Sequence, residues 1–235
     1  MVGYHKKILL FGASGQIGQE VTSKFSNKYW DVCSVVRTPN AQIPMAMTWD
    51  VLADKKIPDS LSARSPFDAV CWAQGTNVND SIYAFDKTHH QALYEANVLF
   101  ILESLSALLK AGLLAKSAKL CIVSSIWQEI SRQNKLSYGI TKSALKGLVL
   151  SLANDLAQDG YLVNAVLPGA LDTPMTRSNL SQEQIRLIEC STKFNRLATL
   201  GDVASTIYFL CSEENTGLTG QFLKVDLGFS DVRNI

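Results

Sequence analysis

The chain has 235 residues, of which 47% are apolar, enough for the core of one α/β domain. A formal net charge of +1, with no run of more than two Lys or Arg, excludes an electrostatic case for nucleic acid or an anionic membrane as partner. The N-terminal apolar run is too short for a signal peptide and no later segment is expected to reach transmembrane length, so we expect a cytoplasmic protein. The five cysteines form no Cys-x-x-Cys pair, so we expect buried free thiols and no metal site.

Apolar strand-like runs alternate with helical patterns along the chain. The predicted strands are Lys7 to Gly12, Asp31 to Arg37, Ala46 to Trp49, Ala69 to Gly75, Lys119 to Ser125, Leu162 to Leu167 and Gln221 to Asp226. The predicted helices are about Gly15 to Asn27, Lys87 to Ala111, Ser137 to Asp159 and Asp202 to Cys211. Buried strands joined by helices indicate a parallel sheet covered on both faces. We therefore predict a single doubly wound, Rossmann-like α/β domain over residues 1–235, with about seven strands.

A glycine-rich loop follows the first strand and opens the first helix. Glycines in this context permit a tight turn and let the backbone approach a pyrophosphate at the helix N-terminus. The alternative is an ordinary turn. The residues predicted to hold a dinucleotide here are Gly12, Ser14, Gly15, Gln16, Ile17 and Gly18.

The second strand ends in Val36 and Arg37. A cofactor with free ribose hydroxyls calls for Asp or Glu at this point, whereas a cation can pair with a 2'-phosphate. We therefore expect NADP rather than NAD, the alternative being a solvated arginine. Asp50, after the third strand, is a candidate acceptor for adenine or a cap for the next turn.

Three side chains suggest proton chemistry. Tyr138 and Lys142 lie four residues apart in a helical pattern and so share one face, about 6 Å apart along the axis. A neighbouring ammonium favours the phenolate, so we expect Lys142 to lower the pKa of Tyr138 from about 10. Ser125 offers a second hydroxyl. Asn97 faces the apolar side of its helix, where a purely structural amide is the alternative.

With these residues, the whole chain resembles the short-chain dehydrogenase/reductase family, in the branch that includes 3-oxoacyl carrier-protein reductases. Tyr138-Gly-Ile-Thr-Lys142 matches the family's Tyr-x-x-x-Lys, and Ser125 stands thirteen residues upstream of Tyr138, at the place of the catalytic serine. Asn97 matches the asparagine of the family's tetrad. The segment from Leu167 to Thr173 resembles the one that contacts the nicotinamide, which implicates Pro168, Gly169 and Thr173 in cofactor binding.

The resemblance implies a mechanism. Tyr138 would donate a proton to a carbonyl, or accept one from an alcohol, while Ser125 stabilises the charge on the same oxygen. Lys142 would also hold the nicotinamide ribose, and Asn97 would carry a water that links Lys142 to solvent. A homodimer or homotetramer is also implied.

The chain departs from the family pattern in three places. Phe11 stands where this branch has Thr, and the loop's second glycine, Gly15, comes one place early. The Asn-Asn-Ala-Gly after the fourth strand is Trp72-Ala-Gln-Gly75, so Gln74 is expected to replace part of its amide bonding and, with Gly75, to line the cofactor site. The closing Asp-Gly-Gly is Asp226-Leu-Gly228.

The substrate signal is faint. The irregular segment from Pro168 to about Phe194 contains an amphipathic stretch, and a substrate loop is expected at about 169–200. The candidate pocket residues are Trp127, Glu129, Leu171 and Met175. Glu129 argues against a strongly anionic substrate.

We therefore expect an NADP-dependent enzyme acting on a small ketone or secondary alcohol. The alternatives are a 3-oxoacyl carrier-protein reductase, which would need basic surface at the pocket mouth, and a cofactor-binding relative without turnover.

Overall fold

The chain forms one parallel sheet whose strand order reverses in the middle. The computed structural model describes residues 5–43 and 45–232. Within them, seven strands pair in the order β3-β2-β1-β4-β5-β6-β7. The strands are β1 (Lys7–Phe11), β2 (Asp31–Val36), β3 (Met47–Thr48), β4 (Phe67–Trp72), β5 (Leu114–Val123), β6 (Leu162–Pro168) and β7 (Phe222–Val225). The predicted doubly wound sheet is confirmed. Its switch point lies between β1 and β4, where such sheets open a crevice at their carboxyl ends.

Helices cover both faces of the sheet. They are α1 (Gln16–Ser26), α2 (Asp59–Ser62), α3 (Lys87–Tyr94), α4 (Phe100–Lys110), α5 (Leu136–Asp155), α6 (Pro174–Asn179), α7 (Gln182–Cys190) and α8 (Leu200–Cys211). Helix α7 is the amphipathic stretch found in the sequence, and it begins with a reciprocal capping box between Ser181 and Gln184. The segment predicted as irregular is therefore partly helical.

The alternation of side chains along β1 builds two cores. Leu9 and Phe11 face the side covered by α4 and α5, whereas Ile8 and Leu10 face the side covered by α1 and α8. Phe11 stacks on Trp72 of β4 with 5.9 Å between ring centroids. Burying each such side chain contributes about 1.5–3 kcal/mol, so the core packing of β1 and β4 stabilises the switch point.

The helix predicted from Lys87 to Ala111 is one continuous element, but it is not uniform. A π turn, Glu95–Leu99, separates α3 from α4. The span Lys87–Lys110 is long and apolar enough to cross a membrane, so the expectation that no segment reaches that length was wrong. Its buried side chains, including Val98, Ile101 and Leu105, pack into the core beside the sheet, as in the core helix of a globular protein.

Candidate active site

The carboxyl ends of β1, β4, β5 and β6 open into a cleft of about 370 Å³, called the main cleft below. It brings together most of the residues predicted from the sequence. From that set it contains Gly15, Gln16, Ile17, Gln74, Gly75, Ser125, Trp127, Tyr138, Lys142, Pro168, Gly169, Leu171 and Thr173. Residues from five separate segments thus converge at the switch point of the sheet.

The glycine loop has two glycines required by packing and one that opens to the cleft. Gly12 has φ +77°, and a Cβ built on it would lie 2.5 Å from the backbone N of Gln74. A Cβ on Gly18 would lie 2.2 Å from the Gly12 carbonyl oxygen. A Cβ on Gly15, which precedes α1, would lie 3.4 Å from its nearest neighbour, the Gly12 carbonyl oxygen. The backbone before α1 therefore offers an accessible helix N-terminus of the kind that binds phosphate groups.

A side cavity of about 230 Å³ lies beside the loop, towards β2. It is lined by Gly12, Ser14 and Gly15 from the loop and by the exposed Arg37 at the end of β2. Asp50 is not among the residues that line this cavity, and its Oδ1 accepts a hydrogen bond from the Leu52 N–H at 3.2 Å. This is the turn-capping alternative that the sequence left open for Asp50.

Gln74 borders both the main cleft and the side cavity. Its Oε1 and Nε2 are almost fully shielded, yet neither has a hydrogen-bond partner among the described residues. A buried amide without partners costs about 1–3 kcal/mol for each polar group. Gln74 therefore carries an unsatisfied donor and acceptor beside both spaces.

Ser125 and Tyr138 meet at the base of the main cleft. Ser125 follows β5, and its Oγ accepts a hydrogen bond from the Trp127 N–H at 3.3 Å. Burial raises the pKa of Tyr138, and a side-chain hydrogen bond from Ser125 opposes that rise. The phenol is therefore protonated at neutral pH and ready to donate.

Lys142 lies on the same face of α5 as Tyr138, one turn later. Its Nζ donates a hydrogen bond to the Val123 carbonyl at 3.1 Å and lies 5.7 Å from the centre of the Tyr138 ring. Burial lowers the pKa of Lys142 to about 8. The expected lowering of the Tyr138 pKa by Lys142 is not found, because burial dominates at both groups.

Asn97 projects from the π turn and holds the loop that follows β4. Its Oδ1 accepts from the Thr76 N–H at 2.8 Å, and its Nδ2 donates to the Thr76 carbonyl at 3.1 Å and to Thr141 Oγ1 at 3.0 Å. Thr141 in turn donates to the Tyr138 carbonyl at 2.9 Å. The side chain thus ties the loop that contains Gly75 to the helix that carries Tyr138.

The loop after β6 closes the other side of the main cleft. Thr173 is buried, and its Oγ1 accepts from the Thr176 N–H at 3.1 Å, which caps α6. Leu171 is buried and pairs through a single bridge with Ala198. The residues predicted between Pro168 and Thr173 therefore line the cleft as a short, anchored segment.

An outer cavity of about 670 Å³ continues from the main cleft between this loop and the chain after β5. Trp127, one of the candidate pocket residues, borders both spaces. Glu129 instead forms an ion pair with Lys224 at 2.8 Å. The charged side chains that line the outer cavity are Arg132 and Lys135, which corrects the expectation that an acid sets its charge. The side chain of Met175 lies outside the described part of the structure.

Known proteins resemble this chain in sequence and in fold. A family model described as Enoyl-(Acyl carrier protein) reductase matches residues 63–230. The uncharacterized oxidoreductase YmfI of Bacillus subtilis is 29% identical over 240 residues, covering 96% of this chain and 99% of that protein. The 3-oxoacyl-[acyl-carrier-protein] reductase FabG of Salmonella typhimurium is 29% identical over 136 residues, covering 58% of this chain and 55% of that protein.

The chain belongs to the short-chain dehydrogenase/reductase family. It is a nicotinamide-dependent oxidoreductase of that family. The fold agrees with that of a gluconate 5-dehydrogenase from Burkholderia cenocepacia, solved in complex with NADP and tartrate. The TM-score is 0.85 at 19% identity, over 97% of this chain and 96% of that one.

Sequence reasoning missed the two cations of this short-chain dehydrogenase/reductase that line its outer cavity. Arg132 and Lys135 lie in the stretch between Ser125 and Tyr138, so their position in the sequence was a usable signal. Only the folded chain shows that this stretch turns back over the cleft, whereas Glu129 points away from it.

Proposed function

We propose that the protein is an NADP-dependent oxidoreductase that interconverts a ketone and a secondary alcohol. The observation that carries the proposal is the convergence of Ser125, Tyr138 and Lys142 on the cleft that also receives the glycine loop. A proton donor, a second hydroxyl and an ammonium beside an accessible helix N-terminus fit hydride transfer to a carbonyl.

The lining of the cleft fits a phosphorylated dinucleotide. Bound NADP would supply the hydride or accept it. The backbone at Gly15 and the N-terminus of α1 would hold its pyrophosphate, and Lys142 would hold its nicotinamide ribose. The unpaired amide of Gln74 supports the fit, because this residue lines both spaces and lacks a polar partner in the chain itself. Arg37, exposed at the edge of the side cavity, supports NADP over NAD.

In the reductive direction, Tyr138 Oη would give its proton to the carbonyl oxygen of the substrate. Ser125 would donate a hydrogen bond to the same oxygen and so stabilise its developing charge. The Lys142 ammonium, 5.7 Å from the centre of the Tyr138 ring, would offset part of the cost that burial imposes on the tyrosinate left after proton transfer. Asn97 would act through position, since it fixes the loop at Gly75 beside Lys142.

The segment 169–200, with α6 and α7, would serve as the substrate loop, because it forms one wall of the outer cavity. Cytoplasmic location and a homo-oligomeric state are part of the same proposal and follow from the family.

Replacing Tyr138 with Phe tests the assignment of the proton donor. We expect NADPH oxidation with a panel of ketones to fall at least about 100-fold, because general acid catalysis contributes about 10²–10⁴-fold. NADPH binding, followed by fluorescence, should be retained. Tyr161→Phe, a change of the same kind far from the cleft, is the control. Turnover by Tyr138→Phe at the wild-type rate would contradict the proposal.

A second candidate is a 3-oxoacyl carrier-protein reductase. The exposed Arg132 at the outer cavity supplies basic surface of the kind that an acidic carrier requires. An acetoacetyl thioester in the ketone panel separates this candidate from the first. Cofactor binding without turnover on every compound would favour a cofactor-binding relative instead.

A further inference from the structure

The outer cavity opens directly onto the catalytic groups. It shares Trp127, Gly169 and Thr176 with the main cleft, so a molecule seated in it can extend to Tyr138. Its volume of about 670 Å³ exceeds what a simple small ketone needs. The chemical character of its walls therefore bears on what the enzyme accepts.

A buried ammonium lies at the junction of the two spaces. Lys135 is only 8% exposed, and its Nζ donates a hydrogen bond to Asn77 Oδ1 at 2.8 Å. The same Nζ lies 5.6 Å from the centre of the Tyr138 ring. A cation is thus held within one small molecule's length of the proposed proton donor.

A second cation lies on the wall of the same cavity. The Arg132 guanidinium stacks over the Trp127 ring, with 5.6 Å between its Cζ and the ring centre. Burial, and after it the charge of Arg132, lowers the pKa of Lys135. The two positive charges are therefore close enough to repel each other.

The protein compensates the Lys135 charge only in part, because Asp80 raises the pKa of Lys135 less than burial and Arg132 lower it. Within residues 5–43 and 45–232, no carboxylate forms an ion pair with Lys135 or Arg132. The nearby Asp80 accepts hydrogen bonds from the backbone N–H and the hydroxyl of Ser137. Glu129 is paired with Lys224. The buried Lys135 has only a neutral hydrogen-bond acceptor, so its charge is costly unless an anion enters the cavity. The exposed Arg132 is solvated and adds a second positive charge to the same wall.

We infer that Lys135 and Arg132 form an anion subsite, so that the preferred substrate is a small carbonyl compound carrying a carboxylate or a phosphate. This rests on the proposed function and adds to it the charge of the substrate. Asn77 holds Lys135 by a neutral amide, which positions the ammonium without cancelling its charge. The burial of Lys135 favours a small anion that enters the cavity over an acidic protein that docks on the surface.

Direct binding tests the subsite independently of turnover. Calorimetric titrations would compare levulinate with methyl levulinate, and dihydroxyacetone phosphate with dihydroxyacetone. The protein would be saturated with NADP⁺. We expect at least one anion to bind about 10-fold more tightly than its neutral partner or better, and the arm that succeeds identifies the anionic group. Equal binding of both members in both pairs would overturn the inference.

Substitutions locate the subsite. Lys135→Gln and Arg132→Gln should each weaken binding of the preferred anion about 10-fold and leave the neutral partner unchanged. Lys135→Arg should restore part of the loss. Lys56→Gln, at an exposed lysine far from the cleft, is the control. Because Arg132 is exposed, its variant keeps the test decisive if Lys135→Gln does not fold; unchanged anion binding in Arg132→Gln would count against the subsite.

Turnover separates this inference from the proposed function. Anion binding that depends on Lys135, without turnover of any ketone, would leave the subsite standing and remove the enzymatic role. Turnover of neutral ketones with no preference for their anionic partners would support the enzyme and refute the subsite. Preference for a neutral acetoacetyl thioester over every anion would also refute it.

Discussion

Lys142 is the residue at which stability and activity are most directly opposed. Its ammonium is 4% exposed and has one neutral hydrogen-bond acceptor, the Val123 carbonyl. Burial lowers its pKa from 10.5 to about 8. At about 1.4 kcal/mol per pKa unit, the charge costs the folded protein at most about 3.5 kcal/mol at neutral pH.

We therefore expect Lys142→Met to unfold at a higher urea concentration than the wild type at pH 7 while losing turnover. The folded protein binds fewer protons than the unfolded chain between about pH 8 and 10.5. The cost is thus complete below pH 8 and disappears as the pH rises towards 10.5. The gain of about 1–3 kcal/mol should shrink over that window, and a gain that does not vary with pH would contradict the assigned cause.

Arg37 is the residue whose replacement tests the choice between NADP and NAD. Arg37→Ala should raise the KM for NADPH about 10-fold, because a charge-assisted hydrogen bond to the 2'-phosphate is lost. The KM for NADH should change little, so NADH serves as the internal control. Steady-state kinetics with both cofactors give the answer, and equal changes in the two KM values would argue for a merely solvated arginine.

The sequence predicted which side chains are neighbours better than it predicted their pKa values. Tyr138 and Lys142 share a face because helical spacing is a local property, and the prediction of that pair needed nothing else. The pKa of Tyr138 depends on burial by distant segments, which local spacing does not encode. The orientation of Glu129 towards Lys224 likewise depends on β7, nearly a hundred residues later in the chain.

Among the elements, the π turn Glu95–Leu99 has the clearest link to the site. It places Asn97, 1% exposed, where its amide makes three hydrogen bonds to Thr76 and Thr141. The sequence indicated that Asn97 faces inward. It did not indicate the widened turn, because a π turn keeps the apolar pattern on both sides and shifts only the register between them.

Asn97→Ala should lower stability by about 1–3 kcal/mol, since it leaves buried groups of Thr76 and Thr141 unpaired. Turnover should fall as well, because the loop at Gly75 loses its tether. Ser104→Ala is the matched control: Ser104 in α4 accepts a buried hydrogen bond from Trp72 Nε1 at 2.9 Å. Ser104→Ala should lower the free energy of unfolding, measured by urea denaturation, by a similar amount but leave kcat unchanged. Loss of activity in both variants would make Asn97 a purely structural residue.

The arrangement of strands and helices in the whole molecule was the feature most readily predicted from the sequence. Alternating apolar strands and helices determine a parallel sheet, because right-handed crossovers allow few other solutions. Phe11, unusual at the family's Thr position, follows from that sheet, since it fills the core against Trp72. The helices within 169–200 were less predictable because their short segments depend on contacts with the rest of the fold.

We predict that copies of the chain associate through α4 and α5. Helices α4 and α5 expose apolar side chains, among them Leu102 at 41% and Leu150 at 49%. We expect a dimer or tetramer by light scattering, with these helices at the interface. Leu102→Lys combined with Leu150→Lys should shift the protein towards monomer, whereas Leu218→Lys, an exposed position outside these helices, should not. A monomeric wild type would refute the prediction.

The unpaired amide of Gln74 bears on the half-life of the protein in a cell. The amide is unpaired in the folded chain without cofactor, and a dinucleotide bound beside it would add to stability, because it would bind only the folded state. At a concentration about 100-fold above its Kd, a cofactor adds about 2.7 kcal/mol to the stability of the folded chain. Starvation for the dinucleotide should therefore shorten the protein's half-life and lower its abundance, with no change in its synthesis.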